Sequence, residues 1–313
     1  MRSLLARRLL QLVPTVVLLS LIIFSLQHLL PGDPALALAG ENPDEATLAS
    51  IREAYHLDKP VMIQYLYWVQ GVLRGDLGES MRHNRPVLDL ILLKLPVTLQ
   101  LAVMGIIVAL ILGIAGGVVS ALWKNTPVDY ATNVVSLAGI SVPNFWLGIM
   151  LILFFSVHLG WLPASGFVSP FEDWRMNLAT TIMPAFVLGT GIAGVIMRHT
   201  RSAMLQALES DYVRTARAKG LSEWTVVFKH AMRNALTPII TLGALEFGAL
   251  LSGAVLTEQI FTIPGFGKLI VDAVFTRDYP VVQGVVLVTA LFYIILNLLA
   301  DIGYILVNPR LRG

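Results

Sequence analysis

The chain is 313 residues long; 56% of them are hydrophobic and 13% charged, and the mean hydropathy is +0.74. Soluble domains carry about 25% charged residues, and a chain this apolar cannot cover itself with polar surface, so a soluble globular fold is excluded. With no cysteine, disulfides and thiolate metal sites are excluded as well; a net charge of +2 with few, dispersed basic residues argues against nucleic acid as a partner.

Arg2, Arg7 and Arg8 precede the first apolar run, Leu9–Leu30, as in a signal peptide. The run is too long for an h-region and no small-residue cleavage site follows it, so it reads as a retained membrane anchor. Pro31-Gly-Asp-Pro34 is a turn signature that stops it. Residues 31–94 then form a sizeable region outside the membrane. Asp44–Tyr55 reads as a short helix with acids in its first turn, and Pro60–Leu73 as an amphipathic helix carrying Tyr65, Tyr67 and Trp68. These aromatics suit headgroup level. The region is expected to cap the outer membrane surface, to serve an external partner as a docking surface or gate, or to do both.

A membrane helix needs about 20 predominantly apolar residues. Five more runs supply them: Leu95–Leu122, Thr132–Leu159, Thr180–Met197, Leu236–Thr257 and Pro280–Val307. The fourth of the six spans holds Pro184, Gly189, Gly191 and Gly194, which membrane helices tolerate because neighbours re-satisfy the freed backbone groups. Gly189-Thr-Gly-Ile-Ala-Gly194 matches a dinucleotide-binding pattern literally, but no strand precedes it; close helix packing through small residues accounts for it better. Gly113-x-x-x-Gly117 and Ala249-x-x-x-Gly253 follow the same logic. The expected fold is all-α, a polytopic membrane protein with six transmembrane helices. Residues 1–30 form the N-terminal tail and first helix, 31–94 the extracytoplasmic region, 95–307 the transmembrane core and 308–313 the C-terminal tail.

Between the fourth and fifth spans lies a basic, helix-prone loop, residues 199–235. Ser202–Ser210 can continue the fourth span. Asp211–Lys219 can form a short helix with Asp211 at its start and Arg217 and Lys219 near its end, the order a helix dipole favours. Gly220 supplies a C-terminal stop, Ser222 and Glu223 restart a helix through about Ala231, and Pro238 is expected to end or kink the next segment. On spacing alone this helix–Gly–helix is an interfacial helix on anionic lipid or a docking surface for another protein.

Lysine and arginine near the span ends set the orientation. With the N-terminus inside, the inner segments carry Arg2, Arg7, Arg8, Lys124, Arg198, Arg201, Arg214, Arg217, Lys219, Lys229, Arg233, Arg310 and Arg312, and the short outer loops only Arg175, Lys268 and Arg277. Both termini are therefore placed on the cytoplasmic side.

Few polar groups fall inside the spans. Glu246 lies mid-way along the fifth, where an unpaired carboxylate is costly and faces a cavity or partner. It is either a pathway residue meeting a cationic amine on the substrate, or a neutralised or hydrogen-bonded carboxyl. Asn297, Asp301 and Tyr304 share one face of the sixth span and are expected to form a structural polar seam. Glu258 and Asp272 are expected at the outer mouth, solvated. No residue set suggests catalysis or a metal: there is no His-Glu-x-x-His, no Gly-x-Ser-x-Gly, and Gly265-Phe-Gly-Lys268 lacks P-loop spacing.

Tyr212-Val-Arg-Thr-Ala-Arg-Ala-Lys-Gly220 through His230-Ala-Met-Arg-Asn-Ala-Leu-Thr-Pro238 resembles the EAA loop of ABC importer permeases, in particular the dipeptide, oligopeptide, glutathione and nickel branch. Short matches to that branch run along the chain: Leu30-Pro-Gly-Asp-Pro34, Gly75-Asp-Leu-Gly78, Ser141-Val-Pro143, Pro264-Gly-Phe-Gly267, Arg277-Asp-Tyr-Pro280 and Asn308-Pro-Arg310. Arg214 and Thr215 stand where Glu and Ala are typical of the general EAA pattern, a departure usual for the peptide branch.

The resemblance implies a type I importer permease in a bacterial inner membrane. It implies a second, similar permease, two ATP-binding subunits and an external substrate-binding protein as partners, besides membrane lipid. ATP and Mg would sit on the ATP-binding subunits, with no cofactor in this chain and no ATPase activity of its own. The coupling residues would be Glu209, Asp211, Tyr212, Arg214, Thr215, Ala216, Arg217, Ala218, Lys219 and Gly220. Two other classes compete. An ion-driven secondary transporter predicts paired broken helices and several intramembrane acids; a non-transporting scaffold predicts that the basic loop is dispensable.

Overall fold

The computed structural model describes residues 13–25, 35, 44–54 and 56–307. Among these the fold is helical, with one isolated β-bridge between Glu79 and Pro86. In chain order the helices are α1 (Val13–Ser25), α2 (Glu45–Ala54), α3 (Val61–Leu73), α4 (Val87–Leu122), α5 (Pro127–Ser141) and α6 (Asn144–Leu151), the last continued by a π-helix, Ile152–His158. There follow α7 (Trp174–Leu208), α8 (Asp211–Ala218), α9 (Glu223–Thr225, continued by a π-helix, Val226–Ala231), α10 (Met232–Ile260), α11 (Phe266–Thr276) and α12 (Tyr279–Val307). Among the described residues three helices are long and apolar enough to cross a membrane, or five if each bent pair counts as one span.

The six expected spans fare unequally. The first, Leu9–Leu30, is described only over Val13–Ser25. The third is not one straight helix: α5 and the α6 segment meet at 102°. The break falls at Val142-Pro143, where both residues are extended, with ψ of 124° and 131°. Proline removes an amide donor and biases the preceding residue away from the helical region, so Ser141-Val-Pro143 is a hinge in the backbone. Pro184 does not break α7, and Pro238, expected to end or kink its segment, sits inside α10 without ending it. Around Pro184 the helix buries Met183, Ala185, Val187 and Leu188, and that packing outweighs the local penalty of about 3 kcal/mol. α7 also begins earlier than Thr180, because the Asp173 carboxylate accepts from the amides of Arg175 and Met176 (2.9 and 3.1 Å) and caps it.

The chain forms two compact units. One takes in the described residues up to Pro96 together with Lys268–Ile294. In it Tyr65 shares a 2.8 Å hydrogen bond with Ser20, and Phe24 meets the rings of Tyr65 and Trp68 at 5.5 and 5.9 Å. The aromatics of α3 thus grip α1. The buried Asp278 carboxylate accepts from Ser80 Oγ (2.5 Å) and from the amides of Met81 and Arg82 (3.2 and 3.3 Å). It thereby fastens the turn after Gly75-Asp-Leu-Gly78 to the start of α12.

The other unit comprises Val97–Gly267 and the chain from Ile295. Here α7 is the central helix, packed on α10 and α5. A side chain at Gly189 would lie 2.6 Å from the Gly105 carbonyl oxygen, and one at Gly194 2.5 Å from that of Ser136. These glycines let backbones touch, as small residues do in membrane bundles.

Candidate functional site

The basic loop folds as α7–α8–α9. On α8, Val213 and Ala216 are buried, and they join one apolar cluster with Val118, Ala121, Met204, Ala207, Val226, Val227, Ala231 and Ala235. Their three-residue spacing puts both on one helical face. The opposite face is exposed: Asp211, Tyr212, Arg214, Thr215, Arg217, Ala218 and Lys219 all lie on it. Ala216, expected among the coupling residues, therefore packs inward rather than toward a partner. Val213, which sequence reasoning passed over, does the same work and is fully buried.

Gly220 closes α8. Its amide donates to the Arg217 carbonyl (2.9 Å) and that of Leu221 to the Ala216 carbonyl (3.4 Å), the paired bonds of a Schellman stop. Gly220 has φ +77°, while a side chain there would meet nothing within 4 Å. Its requirement is backbone handedness, not space.

Ion pairs dress the exposed surface. Arg217 Nε bonds Glu223 (2.8 Å), Arg214 pairs with Asp211 (3.3 Å), and Glu209 pairs with Lys124 (3.2 Å). Thr215 Oγ1 donates to the Asp211 carbonyl at 2.9 Å. Beyond Gly220, Trp224 stacks on Phe228 at 4.0 Å while remaining 72% exposed. The loop thus presents a charged helix and a bare indole on a fixed apolar base.

Two buried carboxylates lie elsewhere in the same unit. Asp129, in the first turn of α5, was not anticipated. It is 2% exposed and takes a two-point bond from Arg201 on α7, with Nε and Nη2 each at 2.8 Å. Ser120 Oγ (2.5 Å), the Asn125 amide (2.9 Å) and Asn133 Nδ2 (2.9 Å) complete its shell. A single sequence offers no means to pair residues so far apart.

Glu258 is the second, and here expectation is corrected: it is fully buried, not solvated. Thr98 Oγ1 donates to its carboxylate, and the Phe266 amide donates to Thr98 Oγ1 (2.8 Å). Any side chain at Gly265 would overlap that carboxylate. The glycines of Pro264-Gly-Phe-Gly267 were the available signal. Asp272 is exposed as expected and pairs with Lys268 at 3.3 Å. Glu246 is half-buried on α10. Asn297, Asp301 and Tyr304 lie on the backbone of α12, and the expected seam between their side chains falls outside the described residues. Among the described residues no group of three or more His, Asp or Glu could hold a metal.

The profile described as "binding-protein-dependent transport system inner membrane component" matches residues 113–313, and its N-terminal counterpart matches residues 1–102. The glutathione transport system permease protein GsiC of Escherichia coli K12 is 41% identical over 306 residues, covering 98% of this chain and 97% of that protein. The protein of the same name from Salmonella typhi is 42% identical over the same span. Among solved structures, an inward-facing MetNI methionine ABC transporter matches with a TM-score of 0.57 at 16% identity, covering 70% of this chain and 96% of that one. An amino acid ABC transporter matches with a TM-score of 0.51 at 12% identity, covering 69% of this chain and 93% of that one.

Proposed function

The chain belongs to the family of binding-protein-dependent transport system inner membrane components, and from that premise we propose that segment 209–220 is where partner ATPases drive it. The chain is a permease of an ATP-driven importer. The finer assignment is a type I permease with six spans in a bacterial inner membrane and both termini in the cytoplasm. It pairs with a second, similar permease; two ATP-binding subunits dock inside, and an external binding protein delivers cargo. ATP and Mg act on those subunits, and hydrolysis takes place there.

One observation carries the coupling assignment. α8 is anchored by Val213 and Ala216, stopped by Gly220 at positive φ, and charged on its free face. A helix held on one side transmits a push applied to the other, so ATP-driven movement of the partners shifts the balance between two arrangements of the spans. The test is Gly220→Asp in the importer reconstituted in proteoliposomes. An L-residue at that φ strains the stop, so the complex should assemble and hydrolyse ATP while uptake per ATP falls. Undiminished uptake would remove the loop from the mechanism.

The proposed cargo is a short peptide or a glutathione-like solute carrying a free amine, a reading supported by the similarity to permeases named for glutathione transport. Glu246 is the pathway candidate, a half-buried carboxylate mid-way along α10. Glu246→Gln should raise the KM for amine-bearing cargo and leave an N-acetylated analogue unaffected; equal KM changes for both would discard the assignment. Calorimetry on the cognate binding protein identifies the solute directly.

A further inference from the structure

Chain connectivity joins α8 to α7 through the short link Glu209-Ser210, while Val213 and Ala216 pack α8 into one apolar cluster with Met204 and Ala207 of α7 and Val118 and Ala121 of α4. A push on α8 therefore reaches α7 and α4 through that packing. The Asp129 cluster ties those two helices in turn to α5. Its five donors come from four places: Ser120 near the end of α4, Asn125 in the turn before α5, Asn133 on α5, and Arg201 on α7, seven residues before α7 ends at Leu208.

The same region is packed as well as bonded. A side chain at Gly117 on α4 would sit 2.5 Å from Thr200 Cβ on α7, so the two helices are in backbone contact beside Arg201. Val118 and Ala121 of α4 lie in one cluster with Val213 and Ala216 of α8. A two-point guanidinium–carboxylate bond fixes orientation as well as distance, and burial with every acceptor site engaged makes it stiff.

We infer that Asp129 is a positioning residue for transport: through Arg201 it locks the end of α4, the 123–126 turn and the start of α5 to α7, on which the coupling segment packs through Val213 and Ala216, so that all move as one lever. The inference rests on the coupling role proposed for segment 209–220.

The chain has no cysteine, which allows a direct test. Spin labels at Val128→Cys, at the start of α5, and at Lys229→Cys, on the π-helix whose Val226, Val227 and Ala231 share the apolar cluster of α8, are both at exposed positions and report their separation in the fully assembled importer. The distance should be the same in the ATP-free and ATP-trapped states, while each label moves relative to the partner permease. Asp129→Asn should broaden that distance distribution and lower uptake per ATP at least about fivefold, the small end of typical coupling energies. Asp129→Glu should restore part of the coupling. A 128–229 distance that changes between the two states in the otherwise unmodified chain overturns the lever, whether or not Asp129→Asn assembles. If Gly220→Asp uncouples the importer while Asp129→Asn does not, the lever fails and the coupling helix stands. If Gly220→Asp transports normally, the coupling reading itself has failed.

Discussion

Asp129 and Glu258 are both buried carboxylates in the same compact unit, and they hold different kinds of structure in place. Asp129 faces a full positive charge, with a guanidinium at 2.8 Å and hydrogen bonds from three further donors. Glu258 accepts from the Thr98 hydroxyl, which in turn accepts from the Phe266 amide. The surroundings differ accordingly. The Asp129 site joins helices and a turn through one ion pair and three further hydrogen bonds. The Glu258 site is an enclosure: Gly265 and Gly267 come so close that no side chain fits at either, and the Glu258 carbonyl also accepts from the Ile263 amide at 2.9 Å. A buried charge pair can tie moving parts together, whereas a carboxylate packed against backbone fixes an irregular segment in one shape.

The largest effect is expected at Gly265, where a side chain would overlap the Glu258 carboxylate. Gly265→Val must displace the Glu258 carboxylate or the 261–267 backbone, and overpacking of this kind costs about 3 kcal/mol. The expected outcome is a large fall in the unfolding temperature of the detergent-solubilised complex. An unchanged temperature would mean that the carboxylate does not fill that space. Thr98→Val comes next. It keeps the shape but leaves the carboxylate and the Phe266 amide each without the hydroxyl, a loss of about 1–3 kcal/mol, and Thr98→Ser should recover most of it. If serine and valine behave alike, the hydroxyl is not the link.

What could be read from the sequence divides along the same line. Long apolar runs and caps gave the helices, and the stop at Gly220 was legible because handedness is a local property. The break at Val142-Pro143 and the continuity at Pro184 were not separable, since the two prolines look alike until the packing around them is known. Asp129 and Arg201 carried no local mark of their pairing. Glu258 was misplaced because it follows the fifth apolar run, Leu236–Thr257, at the expected outer mouth, although the glycines of Pro264-Gly-Phe-Gly267 signalled a crowded backbone. Gly75-Asp-Leu-Gly78 and Arg277-Asp-Tyr-Pro280, two separate motifs in the sequence, are parts of one contact, with Pro280 Cβ 3.4 Å from where a side chain at Gly78 would begin.

Exposed pairs sharpen the contrast from the other side. Lys124 and Glu209 bond at 3.2 Å with side chains 48% and 71% exposed, so water screens them and the pair contributes about 0.5 kcal/mol. Glu209→Gln should barely move the unfolding temperature, and that small effect should vanish in 1 M salt, on the order of a 3 Å screening length. A loss as large as that from Thr98→Val would show that the pair is shielded within the assembled protein.

The smallest effect belongs to a carboxylate that lies wholly in water. Asp44 caps α2, its Oδ1 accepting from the Thr47 amide at 3.0 Å. Hydrogen bonds from the Thr47 side chain and then its backbone hold the Asp44 carboxyl below its ordinary value of 3.8. A group whose folded value is depressed stabilises the fold above its unfolded value and loses that contribution as pH falls through the folded one. From neutral pH down to about pH 4, amide exchange in residues 44–54 should therefore match that of Asp44→Asn, whose amide oxygen also caps. Below that the wild-type helix alone should lose protection. Comparing the two proteins at each pH cancels the intrinsic rate. A gap that opens toward higher pH instead would mean that the charge on Asp44, not its hydrogen bond, governs the start of α2.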